Sequence, residues 1–160
     1  MVELDKIKEV VRMQALIRCA NKEDLGILRE FLKKANLGTD GLTEESVEYF
    51  LMLEDEDGAI KGTLGMEVFK DCGLLRSLVV SPGQAEKDIV LLITQMMQLA
   101  KEKGMRSLFL ATNKGVALPF FELLGFEMVD KDLLPAELYS LEHIRHVFNV
   151  DNSLFLKFSL

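Results

Sequence analysis

Residues 73–104, GLLRSLVVSPGQAEKDIVLLITQMMQLAKEKG, constrain the fold more than any other stretch of the chain. Residues 73–80 are branched and apolar, as a strand at the centre of a sheet requires. Pro82 lacks the N–H that a ladder needs, and Gly83 lets the backbone turn sharply. Ile89, Leu92, Ile93, Met96, Met97, Leu99 and Ala100 then recur at helical spacing, with Lys101, Lys103 and Gly104 as a stop signal. A strand that feeds a helix through so tight a turn leaves the helix's first N–H groups without chain partners. Such an end attracts anions.

The remaining segments supply elements on either side. Residues 1–13, with Leu4, Ile7, Val10 and Val11 among charges, read as a short amphipathic helical extension. Residues 15–19 read as a first strand. Asn21 caps a helix whose apolar face is Leu25, Ile27, Leu28, Phe31 and Leu32, ended near Asn36-Leu37-Gly38. Thr43 opens a second short helix. Residues 49–53 and 59–69 are strands joined by the charged turn 54–58, with Asp57-Gly58 at its tip. After Gly104, residues 106–111 form another strand, parallel to residues 73–80 if the helix between is a crossover. Residues 116–126 follow, and Pro135 starts a loop with a helical segment through Phe148. Residues 153–158 are a last strand.

At 160 residues the length fits one domain. The net charge of −7 argues against nucleic acid and anionic membrane as general partners. The apolar runs are too short to span a bilayer and the first residues begin no signal peptide, so an intracellular, cytoplasmic protein is expected. Cys19 and Cys72 stand far apart, without disulfide or metal-ligand spacing, and no metal site is expected.

Residues 73–104 resemble motif A of the GCN5-related N-acetyltransferase (GNAT) superfamily, and "FFELLGF" at 120–126 resembles its motif B, which implies a helix that stops at Gly125 and a return to the sheet over 127–129. The resemblance covers nearly the whole chain, whose order β-α-α-β-β-β-α-β-α-β-β is similar to that of the superfamily. It implies an α/β (α+β) fold, a mixed central sheet flanked by helices, with strands splayed at the central parallel pair beyond a bulge. It also implies a single N-acetyltransferase domain over 1–160. The family's pyrophosphate signature, Q/R-x-x-G-x-G/A, falls on residues 84–89. Gln84 fits, Lys87 stands where the family has Gly, and Ile89 stands where it has Gly or Ala.

What the resemblance implies for acetyl-coenzyme A as co-substrate can be placed residue by residue. The backbone of Leu78, with Val79 and Val80, would face the acetyl and pantetheine arms, Leu78 serving catalysis. The amides of Gln84, Ala85, Glu86, Lys87, Asp88, Ile89 and Val90 would hold the pyrophosphate. Asn113, one position ahead of the family's usual Asn, would touch the cofactor with Phe120 and Phe121. Phe121 stands where the family often has an acid Tyr. Leu78 and Val80 are equally readable as core residues, and Asn113 as a plain loop residue.

The residues themselves leave alternatives open. Glu67 is either a general base acting through water or a solvated strand residue. Arg76 is either a fork for an acidic substrate group or half of a surface ion pair with Glu67 or a neighbour. Lys87 either obstructs a phosphate or grips it as a point charge. Glu86 and Asp88 repel a diphosphate, yet suit a helix N-terminus with no ligand. His143, Arg145 and His146 line a substrate mouth or are exposed helix residues, and Cys72 is read as inert.

The implied activity moves an acetyl group from acetyl-coenzyme A to a primary amine of a small molecule, amino acid-like or polyamine-like, by direct attack. The alternative is a GNAT-fold binding or regulatory module with weak or no cofactor use, for which Lys87, Ile89 and Phe121 are the motive. The N-terminal extension or the last strand could serve a homodimer.

Overall fold

The computed structural model describes residues 17–39, 41–84, 86–112, 115–141 and 153–160. The expected extension at 1–13, residues 15 and 16 of the expected first strand, and the late helical segment past residue 141 lie outside them.

The described strands are β1 (Ile17–Cys19), β2 (Phe50–Glu54), β3 (Ile60–Phe69), β4 (Cys72–Val80), β5 (Ser107–Thr112), β6 (Glu127–Val129) and β7 (Leu154–Ser159). They form a seven-stranded sheet in the order β1-β2-β3-β4-β5-β7-β6. β4 and β5 pair parallel, while β1–β2, β2–β3, β5–β7 and β6–β7 pair antiparallel. The helices are α1 (Leu25–Lys34), α2 (Glu86–Glu102) and α3 (Leu118–Leu123). This is the mixed sheet with flanking helices and one parallel pair that the resemblance implies. Two compact units divide the chain, Met1–Gly65 with Ser77–Thr94, and Met66–Arg76 with Gln95–Leu160, so the boundary crosses β3 and β4 in mid-strand.

The first unit packs around α1. The Asn21 side chain accepts the Glu23 N–H at 3.0 Å while the Asn21 N–H donates to Asp24 at 2.8 Å. This capping box closes a 3-10 turn (Lys22–Asp24) that leads into α1. Leu28 and Leu32 are fully buried among Leu42, Val47, Phe50 and Met52, with Leu25 and Phe31 partly buried beside them. Ile27, expected on this face, is 58% exposed. Two residues beyond Leu25, it lies about 200° round the helix, on the far side. Asn36 ends α1 at φ 59, its N–H donating to the Lys33 carbonyl and that of Leu37 to the Leu32 carbonyl. In place of the helix expected at Thr43, Thr43 N–H donates to Ser46 Oγ at 2.9 Å and Ser46 N–H to Thr43 Oγ1 at 3.2 Å. A 3-10 turn (Val47–Tyr49) follows. The β2–β3 turn closes as expected, Asp55 Oδ1 accepting the N–H groups of Asp57 and Ala59.

The second unit has its own core, in which Phe69, Leu74, Phe109, Leu134, Leu138 and Phe155 are buried together. β5 and β7 pair from Ser107↔Ser159 to Thr112↔Leu154. A run of rings, Phe121 to Phe126 at 6.0 Å and Phe126 to Phe158 at 5.4 Å, seats α3 against β7. Gly125, at φ 103, ends α3 where a Cβ would meet the Phe158 ring at 2.8 Å, so only glycine fits. The expected helix from Pro135 is, within the described residues, a 3-10 turn (Ala136–Ser140) that buries Leu138.

Candidate functional site

β4 pairs with β5 through Cys72↔Ser107, Gly73↔Leu108 and Leu74↔Phe109, and then runs on from Leu75 to Val80. Gly73 to Arg76 are buried, whereas Ser77, Leu78, Val79 and Val80 are half-buried. The change falls at Ser77, which sits at φ 57. Left-handed backbone costs a residue with a Cβ about 1–2 kcal/mol. A kink of this kind is how a strand re-aims its backbone. The Ser77 carbonyl accepts the Thr63 hydroxyl at 2.8 Å, and Thr63 is 0% exposed. Beside it, a Cβ on Gly62 would stand 3.2 Å from the Val79 carbonyl oxygen, so glycine allows β3 to run close to the end of β4.

The chain then turns as the sequence predicts. Ser81 N–H donates to the Lys61 carbonyl at 2.8 Å and Gln84 N–H to the Ser81 carbonyl at 3.1 Å, with Gly83 at φ 91. α2 begins at Glu86; Ala85 lies outside the described residues. Glu86 and Lys87 are exposed and Asp88, Ile89 and Val90 half-buried, while Leu92 and Ile93 are fully buried and anchor the helix. No atom lies within 4 Å of a Cβ built on Gly83. The turn is therefore open at Gly83, and Lys87 is exposed.

In the second unit Arg76 Nη1 donates to Glu67 Oε1. Their side chains are 8% and 19% exposed, so a buried guanidinium meets a half-buried carboxylate. That corrects both the expectation of a surface pair and that of a solvated Glu67. The pair forms because β3 and β4 are neighbours in the sheet. Phe121 is buried, edge-on to Phe120 at 5.3 Å and to Phe126 at 6.0 Å, which accounts for a ring without a hydroxyl at this position. Burial, and then the Asp71 carboxylate that accepts its S–H, push the Cys72 thiol up, so it is no ready thiolate. Asn113, His143, Arg145 and His146 lie outside the described residues. Among the described residues no group of three or more His, Cys, Asp or Glu is placed to hold a metal ion, and no helix is long and apolar enough to cross a membrane.

Gly62, Thr63 and Ser77 shape this end of β4, and sequence reasoning assigned none of them. The available signal was a Gly-Thr pair beside the apolar centre of β3, since a buried polar residue there needs a partner.

A seven-stranded mixed sheet with one parallel pair, flanked by helices, is the GNAT fold. No protein-family model matches the chain. It is 33% identical over 142 residues to the uncharacterized protein YwlB of Bacillus subtilis (strain 168), covering 88% of this chain and 95% of YwlB. It is similar in structure to N-acetylglutamate synthase from Neisseria gonorrhoeae, solved with coenzyme A and N-acetyl-glutamate. There the TM-score is 0.71 at 24% identity, over 90% of this chain and 34% of the synthase, so the chain spans about a third of that protein's length. A GNAT-family acetyltransferase from Staphylococcus aureus matches at a TM-score of 0.68 and 20% identity, over 90% of this chain and 98% of its own. At these identities the likeness to the solved structures is one of fold. The chain belongs to one family with YwlB, and its fold is that of the GCN5-related N-acetyltransferases.

Proposed function

We propose that the chain transfers the acetyl group of acetyl-coenzyme A to a primary amine of a small molecule, amino acid-like or polyamine-like, by direct attack. The observation that carries this reading is the left-handed Ser77 beyond the parallel pair, followed by half-buried Leu78, Val79 and Val80. Acetyl-coenzyme A supplies an activated thioester carbon. The Leu78 N–H receives the charge that develops on its oxygen, a contribution of roughly 3 kcal/mol. The main chain of Val79 and Val80 holds the pantetheine arm. The open turn at Gly83 and the exposed start of α2 fit a diphosphate: the amides of Glu86, Lys87, Asp88 and Ile89 receive it, and Lys87 adds a point charge.

Glu67 and Arg76 offer a carboxylate and a guanidinium in one pair, which suits an acceptor that carries an amine and an acidic group. The amine nitrogen forms its bond to the acyl carbon, the carbon–sulfur bond breaks, and the sulfur leaves as thiolate. The amine's proton passes through water to Glu67, and the thiolate takes one from solvent, since Phe121 has no hydroxyl to give.

Calorimetric and thermal-shift titration with coenzyme A tests the reading. Binding that saturates raises stability by about 2.7 kcal/mol at a hundredfold excess over Kd. No heat and no shift at millimolar coenzyme A overturns it and leaves a GNAT-fold binding module.

A further inference from the structure

We infer that Thr63 is a positioning residue for the reacting end of β4: its hydroxyl holds Ser77 in the left-handed conformation and so aims the backbone of Leu78 to Val80. The consequence for the cofactor rests on the proposed transferase reading; the hold on Ser77 does not. Both residues belong to the first compact unit.

Thr63 is 0% exposed, between Gly62 and the buried Leu64, at a place where valine would match its shape. Its hydroxyl donates across to the Ser77 carbonyl, fourteen residues on. A buried hydroxyl is retained where its hydrogen bond does something that shape alone cannot. Here the carbonyl it takes belongs to a residue with a Cβ at φ 57. Such a conformation persists only where its surroundings over-determine it. Glycine would hold it unaided, but the chain has serine. The hydroxyl supplies what the missing glycine does not, and Gly62 lets the neighbouring backbone come near enough for it to do so. The three backbone units after Ser77 inherit their direction from that one torsion.

Three variants test this: Thr63→Val, which keeps the shape and drops the donor; Thr63→Ser, which keeps the donor; and Thr63→Val combined with Ser77→Gly. Amide hydrogen exchange is followed on the ligand-free proteins, and each is titrated with coenzyme A. Thr63→Val is expected to speed exchange at Ser77 to Val80 about tenfold over the rest of the sheet, and to weaken coenzyme A about tenfold. Thr63→Ser is expected to keep both values, and Ser77→Gly to recover most of both in the valine background.

Exchange raised evenly across the whole chain would reduce Thr63 to a packing residue and overturn the inference. So would a serine variant no better than the valine one, or a local exchange change with coenzyme A affinity untouched. A wild-type chain that binds no coenzyme A would sink the transferase reading instead, and the exchange pattern with its serine and glycine rescues would then decide Thr63 alone.

Discussion

Arg18 meets Asp24 end-on, with Nη1 2.8 Å from Oδ2 and Nη2 2.8 Å from Oδ1. The same guanidinium also donates through Nε to Glu54 on β2. Asp24 meanwhile accepts the Asn21 N–H at 2.8 Å. One carboxylate thus closes the capping box before α1 and, through Arg18, ties β1 to β2. A bidentate fork is the strongest form such a pair takes, although the Arg18 side chain is 43% exposed and partly screened.

This pair has an acid signature. The Arg18 hydrogen bonds hold the Asp24 carboxyl below the usual carboxylate range, whereas in the unfolded chain it titrates near ~3.9. A depressed folded value means stability that is present above the unfolded pKa and is lost as pH falls through the folded one. Urea unfolding is therefore expected to give a constant midpoint from neutral pH down to about pH 5 from this group, with a decline below about pH 4. Asp24→Asn is expected to lower neutral stability by about 1–2 kcal/mol and to flatten that decline. Superimposable acid limbs would show that the pair contributes nothing.

The pair Glu67–Arg76 should behave non-additively. Arg76→Met leaves a half-buried carboxylate without its guanidinium partner, and an expected loss of about 3 kcal/mol follows. Glu67→Gln in the same chain removes that charge and should return a good part of the loss. Two single variants that simply add in the double variant would mean the pair is not coupled.

Gly125→Ala places a methyl 2.8 Å from the Phe158 ring and holds an L residue at φ 103. Both effects act together, so a loss of about 2–3 kcal/mol is expected by chemical denaturation. By contrast Gly26→Ala, with nothing within 4 Å of the new methyl inside α1, should stabilise by roughly 0.5–1 kcal/mol.

Lys87 is exposed at the start of α2. As a point charge for a diphosphate it contributes modestly through solvent. Lys87→Ala is expected to weaken coenzyme A about threefold and to make its binding less sensitive to salt. Tighter binding in the variant would mean that the side chain obstructs the ligand instead.

Much of this was legible beforehand. The turn at Ser81 to Gln84, the entry into α2, the cap at Asn21 and the stops at Asn36, Gly104 and Gly125 all fall where the sequence places them. Each depends on residues within a turn or so of one another. Ile27 shows the limit, since an apolar residue in a helical run was assigned to the buried face and lies outside it.

The candidate site was read only in outline. The backbone of β4 and the start of α2 follow from motif and period, because strand alternation, proline and glycine act locally. The left-handed Ser77, its clasp by Thr63 and the pairing of Arg76 with Glu67 do not. Each needs two strands brought side by side, fourteen residues apart for Thr63 and Ser77 and nine for Glu67 and Arg76. Sequence alone set most of the elements and their stops, through short-range sterics and hydrophobic period, but not the short turns at Thr43 and Pro135. Only the assembled sheet decided which polar groups lose water together, and hence which torsion at Ser77 the chain can hold.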